Sequence, residues 1–259
     1  MTDHKSIPAG LVSWVDVAVP DLDAAIDFYS KLFGWEIERG PDDMGNYSIA
    51  QKNGRNVAGL MPIQESMPMP PVWSTYIATD DADGTAKLAK DNGATLMLEP
   101  TDAGPAGRFL VGTDPTGAMF GAWQPYENKG FQLTDEPGST CWHELTTTDH
   151  TKANEFYANV FGWTYEEMGD DTFTYTVAKV GDRMVGGTWS KPAELPAEVP
   201  SNWAVYFAVD DTDRSVEAIK KYGGTAQSEP FDTPYGRMAP VHDPWGAHFS
   251  VMVPAEPPS

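Results

Sequence analysis

Two acidic residues stand where a strand could present them to a ligand. Asp16 follows Trp14 by two positions, and Glu144 follows Trp142 by two positions. On an extended chain successive side chains point to opposite faces, so each carboxylate shares a face with an indole. A carboxylate on an apolar, aromatic face loses solvation and binds its proton more tightly, which suits general-base work. The bland alternative is a carboxylate that accepts structural hydrogen bonds from an arginine or a backbone amide. His248 is a third candidate proton carrier, alternating with Ser250 and Met252 near the chain's end. Arg108 and Arg237 each follow a glycine. Their guanidinium groups could grip a ligand carboxylate with two parallel hydrogen bonds, or merely pair with these acids. Trp14, Trp142, Tyr76, Tyr206 and Trp123 fall on the same strand faces; their flat rings suit a planar or hydrophobic ligand, with core packing as the alternative.

The other chemistry-bearing residues promise less. His143 is expected to face a helix and His242 to lie in the loop before Asp243-Pro244, while His4 and His150 read as terminal and surface residues. The single cysteine, Cys141, reads as a small buried residue. No nucleophilic serine elbow and no phosphate-cradling glycine loop is present.

The elements that carry these residues come from an internal repeat. A shift of 128 positions, from Gly10 to Gly138, aligns Trp14 with Trp142, Asp21 with Asp149, Tyr29 with Tyr157, Phe33-Gly34-Trp35 with Phe161-Gly162-Trp163, and Tyr47 with Tyr175. A second repeat lies between these copies. Trp73 to Asp81 matches Trp203 to Asp211, Gly107-Arg108 matches Gly236-Arg237, and Asp114-Pro115-Thr116-Gly117 matches Asp243-Pro244-Trp245-Gly246. Each copy opens on a strand with β-branched or aromatic residues at alternate positions, such as Val15, Val17 and Val19. A helix follows, capped by Asp21 or Asp149 and stopped by Gly34 or Gly162, with Leu22, Ala25, Ile26, Tyr29 and Phe33 along one stripe. Three short strands close the module, with turn signals such as Asn53-Gly54. Proline-rich joints fall at 61–71 and 191–200, and the halves meet around 126–137. The expected organisation is a first half, 1–130, with modules 10–62 and 71–125, and a second half, 131–259, with modules 138–190 and 200–254. One helix per four strands covers one face of a sheet and leaves the other to curl around a cavity.

The paired modules, the passage VPDLDAAIDFYSKLFGW and the DPTG and DPWG turns resemble the glyoxalase / bleomycin-resistance / extradiol-dioxygenase (vicinal oxygen chelate) superfamily over essentially the whole chain. The tandem arrangement is similar to a glyoxalase-like subgroup that includes a mycobacterial antigen and hydroxylase-labelled homologues. The resemblance implies an α+β fold: four βαβββ modules in two tandem glyoxalase-like halves, with mixed curled sheets and helices outside. In metal-dependent members, ligands, mostly His and Glu, come from the starts of first strands and the middles of last strands. Carried over, the first-strand positions are Trp14, Ser74, Trp142 and Ala204, and the last-strand positions lie near Gly59, Gly121, Gly187 and Ser250. None is His, Glu or Asp, so no family-type metal and no cofactor is expected.

Two readings of function follow: a metal-free protein that binds or sequesters a small, partly aromatic or hydrophobic molecule, and a metal-independent acid–base enzyme (lyase, isomerase or hydroxylase-like) using Glu144, Asp16 or His248. A weaker third is a metal-dependent glyoxalase or dioxygenase with displaced ligands. With 17 basic and 38 acidic residues the chain carries a formal charge of -21, which disfavours nucleic acid and anionic membranes as partners. A lone cysteine, no apolar run of membrane-spanning length and no secretory leader point to the cytoplasm, with export by a signal-less route left open. Four modules in one chain suggest a monomer with an internal pseudo-dimer, or a weak homo-oligomer.

Overall fold

The structure is a computed structural model and describes residues 6–64, 69–169, 174–192 and 200–255. His4 and the central parts of both proline-rich joints, 65–68 and 193–199, lie outside the described residues.

Each module repeats one order. The first comprises β1 (Val12–Val19), α1 (Leu22–Phe33), β2 (Glu36–Glu38), β3 (Ser48–Lys52) and β4 (Arg55–Pro62). The second comprises β5 (Val72–Ala78), α2 (Ala82–Asp91), β6 (Thr95–Asp102), β7 (Gly107–Thr113) and β8 (Met119–Pro125). The third comprises β9 (Thr140–Thr147), α3 (His150–Phe161), β10 (Thr164–Glu167), β11 (Tyr175–Val180) and β12 (Arg183–Ser190). The fourth comprises β13 (Asn202–Ala208), α4 (Thr212–Lys221), β14 (Thr225–Ala226), β15 (Phe231–Thr233), β16 (Gly236–His242) and β17 (His248–Pro254). In every module the first strand runs parallel to the last, and the last pairs antiparallel with the strand before it. The sheets are therefore mixed, as the α+β expectation requires.

Local chemistry sets the boundaries. Asp21, Asp81, Asp149 and Asp211 each cap a helix by accepting a backbone N–H three residues on. Gly34 and Gly162 end α1 and α3 in the left-handed region, with φ of 67° and 72°. Asn53 and Gly54, both at positive φ, close the β3–β4 hairpin.

The chain packs into two compact units, and each takes one module from each sequence half. One unit joins the second and third modules. Its core sets Ile77, Phe120 and Ala122 against Leu145, Phe156, Tyr157 and Trp163. The other joins the first and fourth modules and packs Val15, Val17, Tyr29 and Phe33 with Phe207, Ile219 and Phe249. A buried polar relay crosses each core. In the first unit Trp203 Nε1 donates to the Tyr157 hydroxyl at 2.8 Å, which donates to Asp114 Oδ2 at 3.1 Å. In the second, Trp73 Nε1 donates to Tyr29 at 3.2 Å, and Tyr29 donates to Asp243 Oδ2 at 2.9 Å. Burial, reinforced by the neighbouring carboxylate, pushes both phenols well above the usual tyrosine range. The remaining oxygen of each aspartate ties down its own DP-x-G turn, accepting from Thr116 and Ala118 or from Trp245 and Ala247.

Candidate functional site

Strand parity holds. Val15, Val17 and Val19, then Leu145, then Val205 and Phe207, then Phe120 and Ala122, then Phe249 and Val251 lie in the cores under the helices. Their alternating neighbours form the opposite, helix-free faces. On those faces first and last strands meet in register: Asp16 opposite Gly59, Glu144 opposite Gly187, Tyr76 opposite Gly121, and Tyr206 opposite Ser250.

The acids are gathered with tyrosines. In the third module Trp142 Nε1 donates to the Tyr175 hydroxyl at 3.2 Å, and Tyr175 donates to Glu144 Oε2 at 3.1 Å. In the first module the Tyr47 hydroxyl donates to Asp16 Oδ2 at 3.1 Å. The two constellations differ in access. Trp14 and Asp16 are each only 3% exposed, whereas Trp142, Glu144 and Tyr175 are half-buried. Tyr47 and Tyr175 are the site residues that sequence reasoning missed. Their signal was present, since the 128-residue shift aligns them. They lie at the start of a middle strand, away from the strands that carry ligands in the resemblance.

The other aromatic candidates are packed. Tyr76 and Tyr206 are buried, with the Tyr76 ring pressed on Gly121. Trp123 is buried, donates to the Asn128 carbonyl at 3.0 Å and covers Gly107. Of the five rings singled out, Trp142 alone is half-buried.

The arginines take other partners than Asp16 and Glu144. Arg108 binds Asp83 of α2 and Asp102 of β6, each through short N–O contacts, and Arg237 binds Asp213 of α4 and Asp232 of β15 in the same way. Each guanidinium thus laces a strand to its helix at the surface.

His248 sits at the start of β17, opposite His242. Burial, with a contribution from His242, pushes its pKa down to about 4. It is therefore neutral at pH 7 and a weak base. His242 departs from expectation: it ends β16 and is not in a loop, because the ladder to β17 runs on until Asp243 closes the turn. His150 is not a free surface residue. It is half-buried at the first position of α3, with Nε2 3.3 Å from the Thr188 carbonyl oxygen. His143 is buried, and burial brings its pKa down to about 3. Cys141 is half-buried, and burial pushes its thiol up to about 12, so it is not a nucleophile near neutral pH.

Comparison with known proteins decides the family. The chain matches the Glyoxalase/Bleomycin resistance protein/Dioxygenase superfamily twice, over 11–122 and 140–251. It belongs to that superfamily. A Mycobacterium tuberculosis protein named as a glyoxylase, CFP32, is 42% identical over 264 residues, covering 98% of this chain and 99% of the relative. The anthracycline biosynthesis protein DnrV of Streptomyces peucetius is 36% identical over 257 residues, covering 94% of this chain and 93% of the relative. Among solved structures, the Mn(II)-bound glyoxalase of Novosphingobium aromaticivorans superposes with a TM-score of 0.64 at 19% identity, over 95% of this chain and 84% of that one. A catechol 2,3-dioxygenase superposes with a TM-score of 0.65 at 13% identity, over 98% of this chain and 90% of that one. These two likenesses carry the fold alone.

A metal such as the Mn(II) of that glyoxalase does not fit the described residues here. Among the described residues no group of three or more His, Cys, Asp or Glu converges. The last-strand positions are also physically filled. A Cβ at Gly59 would collide with the Tyr47 hydroxyl, and one at Gly187 with the Tyr175 hydroxyl. A ligand side chain at either position would first have to displace the tyrosine hydroxyl.

Proposed function

We propose that this superfamily member binds a small, partly aromatic or hydrophobic molecule on the helix-free face of the third module, without a family-type metal. One observation carries the reading: a tyrosine hydroxyl bonded to a strand carboxylate occurs twice, Asp16 of one pair is 3% exposed, and the Glu144–Tyr175 pair is half-buried and adds the half-buried Trp142. A half-buried indole beside a carboxylate offers stacking area with one polar anchor, the usual composition of a small-molecule site. The name of the Streptomyces relative, an anthracycline biosynthesis protein, is in keeping with a planar ligand.

Titrating the protein with flat bicyclic and tricyclic aromatics, read by tryptophan fluorescence and calorimetry, tests this. Saturable binding that Trp142→Ala weakens by about tenfold or more is the expected result, because a stacked aromatic contact is worth roughly 0.5–1.5 kcal/mol beyond its buried area. Binding that Trp142→Ala leaves unchanged refutes the assignment.

The second reading, an acid–base enzyme, draws on the hydrogen-bonded carboxylate of Glu144 beside a phenol. Glu144→Gln should then abolish turnover and leave the fold intact. Asp16 is buried under the same geometry and serves structure in this view, and His248 stays neutral. Arg108 and Arg237, committed to surface carboxylates, are not anchors for the ligand. We place the protein in the cytoplasm, on the strength of its single unpaired cysteine, as a monomer or weak homo-oligomer. Among the described residues no helix is long and apolar enough to cross a membrane.

A further inference from the structure

The direction of the hydrogen bonds at Glu144 says what the ligand must bring. The indole N–H of Trp142 points to the Tyr175 oxygen, and the Tyr175 O–H points to the carboxylate. Both of these polar hydrogens run towards Glu144, whose Oε2 accepts the bond from the phenol, and a carboxylate in that role accepts and does not donate. A ligand group that meets it needs an O–H or N–H of its own. A second carboxylate or an ether oxygen would meet a like charge or an unpaired acceptor.

The arrangement is built into the sheet. Glu144 lies directly opposite Gly187 across β9 and β12, and the Tyr175 hydroxyl fills the space that a side chain at 187 would take. The first module repeats it: Asp16 opposite Gly59, with the Tyr47 hydroxyl in the equivalent space and bonded to the acid. Two copies that have diverged from Asp to Glu keep the phenol, the glycine and the bond. In the closed copy the acid is shorter and 3% exposed; in the open copy it is one methylene longer and half-buried.

We infer that Tyr175 occupies the place of the missing last-strand ligand and orients Glu144 as an acceptor, so that the site selects a hydroxylated aromatic, a phenol or enol, over the corresponding ether or carboxylate. This rests on the binding reading above. Glu144 is the residue that touches the ligand hydroxyl, and Tyr175 is a positioning residue.

The test uses the full chain and three probes that share one ring system: 2-naphthol, 2-methoxynaphthalene and 2-naphthoate. The native protein should bind 2-naphthol at least about tenfold more tightly than the ether, since a site built to pair with a hydroxyl rejects analogues that lack it. It should bind naphthoate more weakly than either. Tyr175→Phe should bring the naphthol-to-ether ratio close to one, a change of selectivity that mere loss of stability does not produce. Gly187→Ala keeps the phenol but pushes it aside, and should lower the same ratio. Glu144→Gln should do likewise, with the melting temperature of each variant recorded. Equal affinity for naphthol and ether in the native protein overturns the inference and leaves the aromatic site standing. A ratio that Tyr175→Phe does not move overturns the role of the phenol. Failure of all three probes to bind overturns the binding reading itself.

Discussion

Tyr157→Phe removes one oxygen atom from the centre of a core and tests how the modules are joined. Tyr157 is fully buried; its hydroxyl accepts from Trp203 Nε1 at 2.8 Å and donates to Asp114 Oδ2 at 3.1 Å. Trp203 and Asp114 are themselves 6% and 3% exposed, so water does not readily replace the lost partner. Phenylalanine fills nearly the same volume, and the cavity contribution is small. What remains is an indole N–H and a carboxylate oxygen each deprived of a partner. A buried group left so costs about 1–3 kcal/mol, and more when it is charged, which gives about 2–5 kcal/mol for the pair. At roughly 2–4 °C per kcal/mol for a chain of this size, the melting temperature should fall on the order of 10 °C.

Urea unfolding followed by both far-ultraviolet circular dichroism and tryptophan fluorescence measures the change, with an unaltered slope showing that stability and not compactness has moved. Asp114→Asn and the double variant complete a cycle. The coupling between the two sites should exceed about 1 kcal/mol, because both act through one bond. A loss below about 0.5 kcal/mol for Tyr157→Phe, or additive effects in the cycle, would refute the relay as a joint between the second and third modules. Tyr29→Phe with Asp243→Asn repeats the experiment in the other unit.

Three further outcomes follow from the same packing. Residues 1–130 expressed alone contain Tyr29 without Asp243 and Asp114 without Tyr157, so the fragment should aggregate or dimerise; a soluble, well-folded monomer by analytical ultracentrifugation contradicts this. His143 and His248 are held neutral by burial, with pKa values brought down to about 3 and about 4, so the unfolded chain binds protons more readily below its ordinary histidine range. Stability from both groups is complete above pH about 6.5 and is lost as pH falls towards 3, and His143→Phe should flatten that part of the urea-midpoint-against-pH curve; an unchanged slope argues against the burial effect. Arg237→Ala breaks exposed, solvent-screened ion pairs to Asp213 and Asp232, should leave the urea midpoint little changed and aromatic binding unchanged, and a tenfold loss of affinity would return the arginine to the site.

The modules were legible because repeats, caps and alternation are local. Asp21, Gly34 and the Val15-Val17-Val19 ladder each act within a few residues, and the second copy of each confirms the register. Which module packs on which was not legible. The alignment of Tyr29 with Tyr157 and of Asp114 with Asp243 gives equivalence between copies and says nothing of contact. The bonds join Tyr29 to Asp243 and Tyr157 to Asp114, partners 214 and 43 positions apart. Strand parity likewise named the faces of Trp142 and Glu144 but not their access, which depends on what packs over each face. The arginines misled for a related reason. A Gly-Arg pair on a strand gives no hint that Asp83 and Asp102, or Asp213 and Asp232, will be nearer than any ligand.

Duplication explains why one fold can hold a closed and an open copy of the same constellation. A single module must keep its carboxylate either for structure or for a ligand. With two, one copy can bury its acid, Asp16, bonded to Tyr47, while the Glu144 copy stays half-buried with Tyr175 and Trp142. Glycine at 59 and 187 ties the two histories together, since each is the residue that leaves room for a phenol. Restoring a metal-ligand side chain at either position therefore replaces the glycine and has to move or remove the tyrosine. Gly187→His alone should distort the relay and weaken binding of 2-naphthol without gaining a metal. Gly187→His combined with Tyr175→Ala admits the imidazole beside Glu144 and supplies two ligands on one face, short of the three a catalytic zinc site uses. Cobalt(II) titration followed by visible absorption distinguishes the cases. Tight, stoichiometric cobalt binding by the single variant would show that the tyrosine does not block the position, and the steric account of the missing metal would fall.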